Sequence, residues 1–262
     1  MATHPSAPLQ PHQPSQPPQL SQEPAPLSEG QRLINTFFAP SKALTDLRRS
    51  ASWWAPFLII AIVSTLFVYV VDQKVGFQKV SENLIQLQPK QADRIDRLPA
   101  DQRQKVMQQQ ATVTRIISYA FPIIALVVYA VFAAVLFATL KFVTSADLKY
   151  KTLFALIVYT RLPQVLMSLL AIVSLLAGVS GDGFNIQNPA ATNPGYFIAP
   201  DGSPVLRALL TPLDVFAVWT LILTAIGITC ISKVKRSTAF AVVFGWFAVV
   251  VLARVALAAA TS

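Results

Sequence analysis

Residues 116–140 read IISYAFPIIALVVYAVFAAVLFATL, an apolar run without one Asp, Glu, Lys, Arg or His. At about 1.5 Å of rise per residue, a helix of this length crosses the ~30 Å hydrocarbon layer of a bilayer. Working outward, four further stretches are apolar over a comparable length: Trp53 to Val71, Thr152 to Ala177, Ala208 to Ile231 and Thr238 to Ala260. The expected fold class is therefore all-α, a polytopic membrane protein with a five-helix transmembrane bundle. Composition agrees, since 54% of the 262 residues are hydrophobic, only 13% are charged and the mean hydropathy is +0.53. Soluble domains carry about 25% charged residues. Between the spans no stretch is long enough for an ordinary soluble catalytic domain.

Before the first span, residues 1–30 hold eight prolines and five glutamines with no Lys or Arg. Such a segment has too little apolar surface to form a core and reads as a disordered, cytoplasmic N-terminal tail. It lacks the basic and apolar regions of a secretory signal, so the first span is expected to be retained. Residues 31–52 form an amphipathic interfacial segment. Ser28 and Gln31 have capping-box spacing, and Leu33, Ile34, Phe37 and Phe38 then fall on one helical face with Arg32 elsewhere. Pro40 breaks that helix, and Ala43, Leu44 and Leu47 mark a second short one, read either as lying in the interface or as a connector packed on the bundle. Phe37, Phe38, Trp53 and Trp54 are the expected interfacial anchors, because aromatic side chains favour the headgroup level.

Residues 53–260 make up the membrane domain, with an external helical loop at 72–115 and a second external loop at 178–207. In the first of these, Phe77, Val80, Leu84 and Leu87 recur at helical spacing before Pro89, and Pro99 opens a Gln-rich helix. Gln108 to Thr114 contains no breaker, which predicts that this last helix continues straight into the second span. Lys141, Lys149 and Lys151 follow span two, Lys233, Lys235 and Arg236 follow span four, and Val179 to Val205 carries no Lys or Arg. The positive-inside rule then puts the N-terminus in the cytoplasm and the C-terminus outside. The mixed charges of 72–115 run against this assignment without reversing it, because longer segments cross despite basic residues.

Charged groups inside apolar spans are expensive and mark sites by default. There are three, Arg161, Asp214 and Arg254. On straight helices Arg161 lies about 14 Å from the inner edge and Asp214 about 9 Å from the outer one, which predicts a salt bridge between neighbouring helices. Pro163 adds a helix break beside Arg161. Arg161, Pro163, Asp214 and Arg254 are thus the candidate intramembrane polar cluster, serving either to fix helix register or to line a path for a solute or ion.

Catalytic and metal-binding groups are sparse. Both histidines, His4 and His12, lie in the tail, and the single cysteine, Cys230, excludes an intrachain disulfide. No nucleotide-binding, hydrolase or zinc motif occurs. The reading is of a non-enzyme without cofactor or metal. The net charge of +9 is assigned to juxtamembrane anchoring, not nucleic-acid binding. Expected partners are the lipid bilayer and a membrane or cytoplasmic protein of unknown identity, and the sequence leaves the oligomeric state open.

Several segments carry a family resemblance: Phe37-Phe38-Ala39-Pro40-Ser41-Lys42-Ala43 before the first span, Ser52-Trp53-Trp54-Ala55-Pro56-Phe57 at its start, and Tyr159 to Pro163 in the third. Leu87 to Ala92 and Leu98-Pro99-Ala100 add to them. Over roughly 31–260 the chain resembles the Yip family of Ypt/Rab-interacting membrane proteins, in its bacterial branch. The resemblance implies five spans with the N-terminus inside. In eukaryotic members it implies binding of prenylated Rab GTPases and shaping or trafficking of membranes. The Asp-Leu-Tyr-Gly-Pro motif of some of those members is not present here, so Rab binding is not carried over. The resulting expectation is a scaffold or adaptor in the cytoplasmic membrane that organises partners or bilayer shape, with a small-solute or ion permease using Arg161 and Asp214 as the alternative.

Overall fold

The computed structural model describes residues 25–261. Most of the tail assigned from sequence as disordered lies outside the described residues. Helix α1 (Glu29–Phe38) starts within the stretch assigned to that tail, where Ser28 caps it reciprocally with Gln31. Then follow α2 (Pro40–Asp46), α3 (Trp54–Lys74), α4 (Phe77–Gln86), α5 (Pro89–Asp96) and α6 (Ala100–Tyr119). The remaining helices are α7 (Phe121–Thr144), α8 (Tyr150–Thr160), α9 (Leu162–Leu176), α10 (Pro204–Leu210), α11 (Val215–Ile231) and α12 (Arg236–Thr261). No strand occurs among the described residues.

Four segments are long and apolar enough to cross a membrane singly: α3, α7, the pair α8 and α9 taken together, and α12. The pair α10 and α11, bent by 44°, makes the fifth when taken as one span. The fold is thus an all-α, multi-pass membrane bundle. Helix α8 is its centre, with Leu153, Ala155, Leu156, Ile157 and Val158 all fully buried. A helix that is apolar on every side belongs in such a position. It packs on α7 and α11, while α9 packs on α3 and α11. Gly227 of α11 lets that helix approach closely, since a Cβ there would run into Leu156 of α8 and Leu44 of α2. Helix α12 lies at the periphery on α10 and α11, leaving Val249, Val250, Leu252 and Leu257 exposed as a lipid-facing side would be.

Prolines decide where the helices break. Pro122 stands at the second position of α7, and the helix expected to run unbroken from the first loop into span two ends instead at Tyr119. The missing N–H and the ring of proline account for that interruption. Pro163 divides the third span at Arg161, as its position in the sequence predicts. Pro212 lies between α10 and α11, where the two helices are bent by 44°.

The two long loops meet at one end of the bundle. Asn83 of α4, which is buried, donates from its amide to the Gly181 and Phe184 carbonyls at 3.0 Å each. Lys79 pairs with Asp182 at 2.8 Å. The hydrogen bond from Lys79, and its charge, lower the Asp182 pKa, and the same contact raises that of Lys79. At the opposite end α1 and α2 fold back over the bundle, α2 lying against α11.

Candidate functional site

An open cavity of about 360 Å³ lies where the helix breaks converge. Its wall takes Ile60, Val63 and Ser64 from the middle of α3, and Phe121 and Tyr129 from α7. Gln164, Val165, Met167 and Ser168 come from the first turns of α9, on the far side of the Pro163 break. Thr211, Pro212 and Asp214 come from the break between α10 and α11, and Arg254 from α12. Gln187, Asn188 and Asn193, from the loop that follows α9, close one end.

Three of the four residues expected in the polar cluster, Arg161, Asp214 and Arg254, line this cavity. Pro163 does not, and contributes by breaking the helix beside it. The expected ion pair between Arg161 and Asp214 is not formed: no carboxylate lies within 4 Å of Arg161 among the described residues. Asp214 is otherwise engaged. The bend at Pro212 turns a position read as helix interior into the cap of α11, and one Asp214 oxygen accepts from the Phe216 and Ala217 N–H groups at 2.9 and 3.0 Å. The Thr192 hydroxyl donates to the other oxygen, and the Thr192 carbonyl accepts from the Val215 N–H at 3.1 Å. Two helix N–H groups and a hydroxyl hold this carboxylate where the N-terminal end of the α11 dipole also favours it.

Arg161 is held by rings. Its guanidinium carbon stands 5.3 Å from the centroids of both Tyr129 and Phe132 on α7. Its Nε is buried and has no hydrogen-bond partner. Cation–π contacts of this kind contribute about 1–2 kcal/mol each when desolvated, and they offset only part of the cost of an arginine at membrane depth. Asn188 and Asn193, both buried, bond each other through their side-chain amides at 2.7 and 3.3 Å and form a fixed polar rim. Gln164 and Ser168 follow Arg161 at helical spacing, a signal present in the sequence but not used there. Nothing local in the sequence pointed to Asn188 and Asn193.

A second polar cluster, not anticipated, clamps the segment before the first span. Arg32 is buried, its Nε donating to Asp46 at 2.6 Å and its Nη1 to Glu29 at 3.1 Å. The Tyr159 hydroxyl of α8 donates to the other Glu29 oxygen at 2.9 Å. Burial works against the Arg32 charge, and the hydrogen bond and charge of Asp46 together with the charge of Glu29 more than offset it, leaving its pKa raised. Arg32, off the apolar face of α1 as its spacing predicts, is thus buried, while on that apolar face Leu33 and Phe37 pack on the core and Ile34 and Phe38 stay exposed. Of the four expected anchors, Phe37 and Trp53 turn inward. Phe37 meets Trp219 at 5.9 Å between ring centroids, and Trp53 meets Phe57 and Phe154 at 5.8 and 5.4 Å. Phe38 and Trp54 stay exposed.

Among the described residues no group of three His, Cys, Asp or Glu side chains is placed to hold a metal ion. In comparison with known proteins, a family model described as the Yip1 domain matches residues 34–257. No curated protein and no solved structure matches the chain.

Proposed function

The chain belongs to the Yip1 domain family, and on that premise we propose that it is a non-enzymatic scaffold or adaptor of the cytoplasmic membrane. In this reading the N-terminus is cytoplasmic, the C-terminus is outside, and the protein organises partners or bilayer shape. The observation that carries the proposal is α1. The Arg32–Asp46 ion pair ties this helix to α2 and the Tyr159 hydroxyl of α8 bonds its Glu29, while Ile34 and Phe38, 61% and 85% exposed, project from its other side. A fixed helix with outward apolar side chains is suited to lie in the interfacial layer and displace lipid there.

Purified protein reconstituted into vesicles tests this reading, with vesicle shape followed by electron microscopy beside an Ile34→Glu, Phe38→Glu double variant. Remodelling by the parent chain and not by the variant is expected. In parallel, in-membrane crosslinking of the full chain and of a chain lacking residues 1–30 should recover a reproducible protein partner. Unchanged vesicles together with recovery of the chain alone would overturn the reading.

The cavity favours a second reading, passage of a small solute or ion past Arg161 and Asp214. It predicts flux in proteoliposomes that Arg161→Ala abolishes, and absence of flux across a broad solute panel would sink it.

A further inference from the structure

We propose that the cavity between α3, α7, α9 and α12 binds a phosphate-bearing anion, with Arg161 at its floor and Arg254 on its wall as the two cationic contacts. The argument starts from charge. Arg161 and Arg254 supply two positive charges, and neither has a carboxylate within 4 Å among the described residues. Asp214 supplies one negative charge to the same wall, already bonded to two backbone N–H groups and the Thr192 hydroxyl. The site is therefore left one positive charge in excess. Arg161 bonds no acceptor and pairs with no carboxylate among the described residues, and a guanidinium in a membrane bundle is costly unless something complements it. An anion in the cavity, accepting from the Nη groups and not from the enclosed Nε, would offset that cost, and the planar fork of arginine matches a phosphate.

Shape and lining narrow the class. At about 360 Å³ the cavity greatly exceeds a single halide or hydroxide ion. It presents two chemistries side by side. Gln164, Ser168, Asn188 and Asn193 offer neutral donors and acceptors, whereas Ile60, Val63, Val165 and Ala217 are apolar. A phosphate ester with an attached carbon skeleton satisfies both. Tyr129 and Phe132 hold the Arg161 guanidinium from the α7 side, so its position is set before a ligand arrives and little ordering is required on binding. The donor chemistry suits either a phospholipid headgroup entering from the bilayer or a soluble phosphate entering from water. The inference stands whether the chain acts as a scaffold or as a permease, because binding requires neither remodelling nor flux.

The test has two arms on the full-length protein. In the first, protein is reconstituted into nanodiscs of phosphatidylcholine alone or with added phosphatidylglycerol, and lipid that stays bound after transfer to detergent is identified by native mass spectrometry. In the second, inorganic phosphate is titrated into delipidated protein by calorimetry. Arg161→Gln, Arg254→Gln and, as a control at the other end of α12, Arg236→Gln are run beside the parent chain. Arg161→Gln is expected to weaken binding by at least about tenfold, the loss of one charge-assisted contact. Arg254→Gln, whose side chain is exposed and whose loss leaves the core intact, should weaken it several-fold, and Arg236→Gln should leave it unchanged. Retention of phosphatidylglycerol with that pattern assigns a lipid headgroup. Phosphate binding with that pattern and no retained lipid assigns a soluble ligand. Binding in neither arm, or binding that both cavity variants leave intact, overturns the proposal.

Discussion

Two arginines in this molecule, Arg32 buried and Arg161 partly exposed with its Nε buried, solve the problem of a charge within the bundle in opposite ways. Arg32, at the end covered by α1 and α2, has carboxylates at 2.6 and 3.1 Å, and Tyr159 closes the network through Glu29. Arg161, at the cavity, has two aromatic rings and no carboxylate within reach among the described residues. A paired charge of the first kind fixes one segment onto another. A charge without an ionic partner contributes little to the fold and remains available to a ligand. Position within the bundle thus says less about the task of an arginine than the company it keeps.

The comparison can be broken most decisively at the clamp. Asp46→Ala leaves Arg32 enclosed with only Glu29 as partner, and breaking a buried ion pair from one side costs about 3 kcal/mol or more. Thermal unfolding in detergent should show that loss, with α1 and α2 becoming susceptible to protease first. Stability unchanged within error would mean that the clamp is not what holds the segment.

A smaller effect, about 2 kcal/mol, is expected from Gly227→Ala, whose new methyl group collides with Leu156 and Leu44 and so disturbs the seat of α2 without touching a charge. If it loosens α1 and α2 as far as Asp46→Ala does, packing and not the ion pairs dominates at that end.

At the cavity the corresponding charge deletions should be mild. Asp214→Ala removes a helix cap and is expected to cost about 1 kcal/mol. Arg161→Met should leave unfolding of the ligand-free protein unchanged or raise its midpoint, because it replaces an arginine lacking an ionic partner by an apolar group of similar length. A loss of stability as large as that of Asp46→Ala would erase the distinction between the two arginines.

The smallest effect concerns the surface contact between the two long loops. Asp182 has a lowered pKa in the folded protein, so its contribution is present above the ordinary carboxylate pKa and is lost as pH falls through the folded value. Protection of α4 and of the 178–185 segment, measured against the intrinsic exchange rate at each pH, should therefore fall below about pH 4 and with added salt, and Lys79→Gln should remove both dependences. Protection that ignores pH and salt would place the whole junction on Asn83.

Much of this architecture was already legible in the chain. Uncharged runs of membrane-crossing length demand helices, because no other open structure satisfies its backbone in lipid. The capping box at Ser28 and the Pro163 break follow from local geometry in the same way. Local patterns also misled in definite places. Periodicity put Leu33, Ile34, Phe37 and Phe38 on one face and Arg32 elsewhere, and gave no sign that Arg32 and Thr36 are buried, because Asp46 is fourteen residues away and meets Arg32 only after Pro40 turns the chain. Hydropathy placed Asp214 inside a span, where the bend at Pro212 makes it a cap.

What the sequence determined by itself is the membrane class, the candidate spans and the identity of the rare intramembrane charges, since each rests on the composition of one contiguous segment. Which arginine is paired, which carboxylate is engaged and where the helix breaks converge into a cavity were decided only by the tertiary structure. Those facts depend on side chains brought together from distant helices, and a salt bridge or a ring contact is a property of distance in space that spacing along the chain does not encode.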